Sequence, residues 1–191
     1  MPNYTDVPVE RITKIGAAER QLVAAINLFF RDGDSVAVYA LAGAAREIIT
    51  TMCEHRGVKS FFDDAMAVHP ELTKQELRKM ANRYRGFLKH ADKDPDVVLE
   101  DFSDYENDHI LLVAGHDFGR LTRGMPIECQ VFESWYLACH PEKLRPGGDI
   151  DYSAMFPNIT DIDRRARKRL GQNALVAAGS DPSLKMTYST D

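Results

Sequence analysis

A chain of 191 residues, 44% hydrophobic and 28% charged, has the length and balance of a globular domain that can bury a core without disulfides or metal. Its formal net charge of −5 argues against a global electrostatic grip on nucleic acid and leaves only local basic faces for such a partner. Cys53, Cys129 and Cys139 cannot all pair and form no C-x-x-C, so they read as reduced, buried thiols.

No apolar run approaches the roughly 18–20 residues of a bilayer span, and residues 1–14 carry no apolar signal-peptide core. The expectation is a cytoplasmic chain with no membrane partner.

In chain order, residues 1–15 read as an extended arm, with Pro2 and Pro8 opposing helix. Residues 17–31 turn helical, and Leu22, Ala25, Ile26, Phe29 and Phe30 form one apolar stripe. After the Arg31-Asp32-Gly33-Asp34 turn, Asp34 or Ser35 caps a central helix over 35–55, ended by Gly57. Its stripe is Val38, Leu41, Ala42, Ala45, Ile48, Ile49 and Met52, while Ala40, Gly43 and Ala44 offer a small-residue face for close approach of a second element.

A short apolar piece around Phe61, Phe62 and Met66 closes at His69-Pro70. Thr73 and Glu76 form a capping box that starts a helix running to about His90, with Leu77, Met80, Ala81, Tyr84, Phe87 and Leu88 on its narrow core face. Helices follow over 104–122, burying Ile110, Leu111, Ala114, Phe118 and Leu121, and over 126–140, burying Val131, Phe132, Trp135, Tyr136 and Ala138. Residues 141–160 read as an irregular loop, a last helix runs from about 160 to 178, and residues 179–191 form a frayed tail. With no strand alternation or repeat, the expectation is an all-α, irregular bundle of about five to seven helices, folded as a single domain over residues 1–191.

The chemistry-bearing stretch is Asn82 to His90. Four residues separate Arg85 from His90 and six separate Arg83 from His90. On a straight helix Arg83 shares a face with His90 and Arg85 points away, unless Gly86 breaks the helix. An imidazole with a pKa near neutrality can take the proton from a ribose 2′-hydroxyl, and a guanidinium can stabilise charge developing on the phosphate. Arg83, Arg85 and His90 are therefore the candidate catalytic residues of a metal-independent ribonuclease. Lys74, Arg78, Arg85 and Lys89 form a stripe that could track a phosphate backbone, with Lys74, Arg78 and Lys89 as the auxiliary phosphate contacts.

The R-x(4–6)-H spacing over residues 83–90 resembles the motif of the HEPN superfamily. That resemblance implies an all-helical RNase of toxin–antitoxin or phage-defence type, with the motif on the bundle surface and two subunits pairing to build one site. RNA and a second copy of the chain are the partners it implies. The segments Leu28-Phe29-Phe30, residues 41–48, Lys89-His90-Ala91-Asp92-Lys93-Asp94-Pro95 and His140-Pro141-Glu142 resemble a family of uncharacterised bacterial proteins across residues 18–142. This second resemblance brings no activity with it.

Three other readings stand beside these. Arg83 and His90 can simply complement the dipole at a helix end, in a non-catalytic scaffold or interaction module. The dense cluster Arg164, Arg165, Arg167, Lys168 and Arg169 could meet RNA or an acidic partner, or lie on a solvated face. His109 and His116, seven apart, could join a carboxylate from another helix in a metal site. Asp92, Asp94 and Asp96 imitate the start of a calcium loop, but Val97 replaces its glycine and Ser103 its glutamate. No nucleotide or cofactor motif is present, and none is expected to be needed.

Overall fold

The computed structural model describes residues 9–90, 92, 93, 95–144 and 150–181, and the readings made for 1–8, 91, 94, 145–149 and 182–191 lie outside that set. Among the described residues there is no strand, and the fold is all-α. The described residues form nine α-helices rather than five to seven, because one expected helix is broken in two and a stretch read as loop contains a short one.

Helix α1 (Lys14–Phe30) starts where Thr13 accepts the N–H of Gly16, three residues earlier than its hydrophobic stripe suggests. The expected stripe is buried, and Ile15 and Ala18 extend it. Helix α2 (Ser35–Arg56) is capped by Asp34 and lies between α1 and α6 (Glu106–Thr122). Although no uninterrupted apolar run reaches that length, α2 is long and apolar enough to cross a bilayer, and half of its apolar window is buried among its neighbours.

The buried face of α2 is also rotated from expectation. Tyr39, Gly43, Arg46, Thr50 and Cys53 join the interior, while Leu41, Ile48 and Met52 are only partly covered. Helix α7 (Ile127–Cys139) and α9 (Arg164–Gly179) complete the main body, where Phe29, Phe30, Phe132 and Trp135 pack edge to face. The Trp135 indole N–H donates to the Arg167 carbonyl at 2.7 Å, satisfying the one polar atom of that ring. All three cysteines are free and buried, and burial pushes the Cys53 and Cys139 thiols up to about 12.

The flank is built from three short helices, α3 (Phe61–Val68), α4 (Lys74–Ala81) and α5 (Arg83–Lys89). The single helix expected over 73–90 is interrupted at Asn82 by Arg46 of α2. That guanidinium is 5% exposed and needs acceptors, and it donates to the Ala81 carbonyl at 3.0 Å and to the Asn82 side chain. The Ala81 carbonyl would otherwise accept the Arg85 N–H of a continuing helix. Residues 141–160 are likewise not wholly irregular: 3-10 turns at Pro141–Lys143 and Ile159–Asp161 flank α8 (Tyr152–Met155).

Candidate functional site

Each basic residue named in the stretch from Lys74 to His90 has a carboxylate within 4.0 Å. On α2, Glu47 and Glu54 are seven apart and so share a face. Arg85 pairs with Glu47, and the Lys89 ammonium lies 3.9 Å from the same carboxylate. Lys74 lies 3.0 Å from Glu54 and 3.2 Å from Asp63, and Arg78 also pairs with Glu54. Burial opposes ionisation of Glu54, yet the hydrogen bonds from Lys74 and Arg78 hold it below the usual carboxylate range. The stripe is thus a ladder that staples α4 and α5 to α2.

Arg83 pairs with Asp101, and its guanidinium lies 5.1 Å from the centre of the Tyr84 ring. The Arg85 stem passes so close to Gly43 that a Cβ there would meet it at 3.3 Å, which is the close approach expected of the small-residue face of α2. His90 follows α5 as its C-cap at φ −118°, and its N–H donates to the Gly86 carbonyl. Its half-exposed ring lies 4.0 Å from Asp92. The described contacts of His90 do not include either arginine.

The basic cluster on α9 divides by face. Arg164 donates to both Asp108 oxygens at 3.0 and 2.8 Å, and also pairs with Asp104. Lys168 is 2% exposed and lies 2.6 Å from Asp104 and 3.3 Å from Asp32. Arg165, at 86% side-chain exposure, faces solvent and makes only an exposed contact with Asp32 at 3.4 Å, and Arg167 donates to the Ile162 and Thr160 carbonyls at 2.9 Å. Arg164 and Lys168 therefore supply the buried ion pairs that hold α9 to the bundle.

A cleft of about 590 Å³, which no sequence motif marks, lies between the α6–α7 floor and the α3–α5 flank. Along α6, Glu106, His109, Ile110, Val113 and His116 recur every three or four residues and line it. Across it stand Phe61, Phe62, Met80 and Tyr84, with Tyr39 of α2 at one end and Tyr136 of α7 on the side. His116 Nε2 lies 3.0 Å from Glu133 of α7, and that hydrogen bond raises the imidazole pKa above its ordinary value.

The carboxylate from another helix anticipated beside His116 is thus present. His109, however, lies seven residues away, about 10.5 Å along the helix, too far to share one ion. No group of three or more metal-ligating side chains occurs among the described residues.

The flank is tied down mainly by polar contacts. Asp117 of α6 accepts the Phe61 N–H at 2.8 Å, and Arg120 lies 2.6 Å from Asp64. Asp63 accepts the Ser60 N–H and hydroxyl at 2.8 and 2.7 Å, which holds its carboxyl down to about 2. Only Phe62 and Tyr84 of α3–α5 are buried apolar residues, and Met80 is 67% exposed. A segment with few buried apolar contacts opens at lower free energy than the core. Compared with protein-family models, with curated proteins and with solved structures, the chain matches none.

Proposed function

We propose that this protein is a helical binding module that takes up a small, largely apolar molecule in the cleft between α6–α7 and α3–α5. The observation that carries this reading is the cleft itself. Its volume of about 590 Å³ falls within the roughly 300–1,000 Å³ of small-molecule sites, and apolar and aromatic walls converge with a few polar groups. The polar ties of α3–α5 give a route for entry that leaves the α1–α2–α6–α7 core closed.

Nile red, a neutral polarity-sensitive dye, tests the reading. Saturable fluorescence enhancement is expected with the wild type, weakened about tenfold by Val113→Trp on the floor and by Ala81→Phe on the flank. Unchanged binding to both folded variants, or no saturable binding to the wild type, would overturn it.

A second reading follows the HEPN resemblance and rests on a different observation. Arg83, Lys89 and His90 are all exposed around the two-turn α5, with side-chain exposures of 60, 53 and 41%. In this reading His90 takes the 2′-hydroxyl proton, and Arg83 or Arg85 of the same or a second copy supports the phosphate. Wild-type protein should then nick single-stranded RNA in EDTA and His90→Ala should not. Uncut RNA, or equal cutting by the variant, removes the reading.

A further inference from the structure

We infer that the cleft selects an organic ammonium cation, its protonated amine seated at Glu106 beside Tyr39 and Tyr84 and its apolar body lying along Val113 toward Phe61 and Phe62. The inference rests on the cleft reading above and gives that site a ligand class.

The charges lining the cleft differ in what already satisfies them. Arg46 is taken up by the Ala81 carbonyl and the Asn82 side chain, and stands 6.0 Å from the centre of the Phe62 ring. His116 and Glu133 satisfy each other at 3.0 Å. The Lys143 ammonium lies 5.7 Å from the centre of the Tyr136 ring, a cation–π partner of its own. Of the two carboxylates in the lining, Glu133 is paired with His116, whereas Glu106 has no hydrogen-bond or ion-pair partner for its carboxylate among the described residues.

Two aromatic rings stand at the same end. The Tyr39 and Tyr84 centroids are 5.8 Å apart at an interplanar angle of 85°, and Phe102 braces both from behind at 5.5 and 5.4 Å. Arg83 already stands 5.1 Å from the centre of the Tyr84 ring, so the corner offers an amine the Tyr39 ring and the phenol oxygens, and the Glu106 carboxylate supplies the counter-charge. Burial raises the Tyr39 hydroxyl pKa, Arg46 opposes the rise and Glu106 adds to it. For Tyr84, Glu106 follows burial as a raising cause. The Glu106 charge therefore acts on both rings.

An anionic ligand seated at Tyr39 and Tyr84 would face the Glu106 carboxylate with Arg46 already committed, the Lys143 ammonium lying against Tyr136 instead. A neutral one would leave Glu106 without a counter-charge in a partly desolvated cleft.

The experiment uses three probes of one shape, phenethylamine, phenethyl alcohol and hydrocinnamate, titrated calorimetrically into the wild-type protein and Glu106→Gln at neutral pH. The amine should bind about tenfold tighter than the alcohol, and the carboxylate weaker than either. Glu106→Gln should bring the amine down to the affinity of the alcohol and leave the alcohol unchanged. If amine and alcohol bind the wild type equally, or Glu106→Gln keeps the amine preference, the ammonium assignment is overturned while the cleft reading stands. If none of the three probes binds and Nile red does not either, both are overturned.

Discussion

The Asp117 carboxylate on α6 accepts a hydrogen bond from the backbone N–H of Phe61 at 2.8 Å, so the first residue of α3 is fastened to the floor of the cleft from 56 positions away. Asp117 is fully buried and its other oxygen has no partner among the described residues. Burial pushes its pKa up to about 6, against the lowering effects of the Phe61 N–H, Arg120 and His116. Folding therefore favours the protonated acid. The associated stability is present below the ordinary carboxylate value near 3.8 and is lost as pH rises through about 6.

Asp117→Asn keeps an acceptor for Phe61 and removes the buried charge. The loss of on the order of 2 kcal/mol that Asp117 imposes on the wild type between pH 4 and 7 should be absent from the variant. Chemical denaturation at several pH values measures this, and parallel slopes in the two proteins would contradict it.

Arg164 presents the opposite electrostatic case, a cation enclosed by two carboxylates. Removing it leaves Asp108, itself 2% exposed, without its bidentate partner. Arg164→Ala should destabilise the protein by about 3–5 kcal/mol, whereas Arg165→Ala should change stability by less than about 0.5 kcal/mol. Thermal unfolding of both variants separates a structural cluster from a solvated one. Equal effects would contradict the division by face.

Gly171 lies where α9 crosses α1, and a Cβ there would meet the Phe30 ring at 2.1 Å. The ring sits in the packed aromatic group with Phe132 and Trp135 and cannot yield freely. Gly171→Ala should cost about 1–3 kcal/mol, even though alanine is the better helix former. A stabilised variant would mean that the crossing is looser than described.

The hydrogen bond between His116 and Glu133 has a measurable signature. It raises the imidazole pKa above 6.5, so the stability from the pair is present below that value and lost as pH rises through the raised one. Proton NMR of the imidazole should show His116 titrating above ordinary histidines in the wild type and moving down in Glu133→Gln. An unchanged titration in the variant would rule out Glu133 as the cause.

The stripes of α1, α6 and α7 were legible in the sequence because each is set by local periodicity against a common core. The break between α4 and α5 was not, because its cause is Arg46, a buried guanidinium 35 residues upstream that captures the Ala81 carbonyl. The basic stripe from Lys74 to Lys89 was visible as a stripe. Its partners Glu47 and Glu54 were not, since helical spacing says nothing of which face a neighbouring helix turns toward it. The polar groups lining the cleft were half legible. Seven-residue spacing puts His109 and His116 on one face and suggests a carboxylate from another helix, but it does not mark Glu106 as a cleft residue. No local pattern reveals that α3–α5 stands off from α6.

The most direct test of the cleft as the working site is chemical-shift mapping of isotopically labelled protein with a panel of small apolar and amine-bearing fragments. The expected result is saturable binding whose perturbations converge on Tyr84, Val113, His116 and Tyr136 and disappear in Val113→Trp. Perturbations scattered over the surface, or concentrated on Arg83, Lys89 and His90 with the cleft silent, would contradict it.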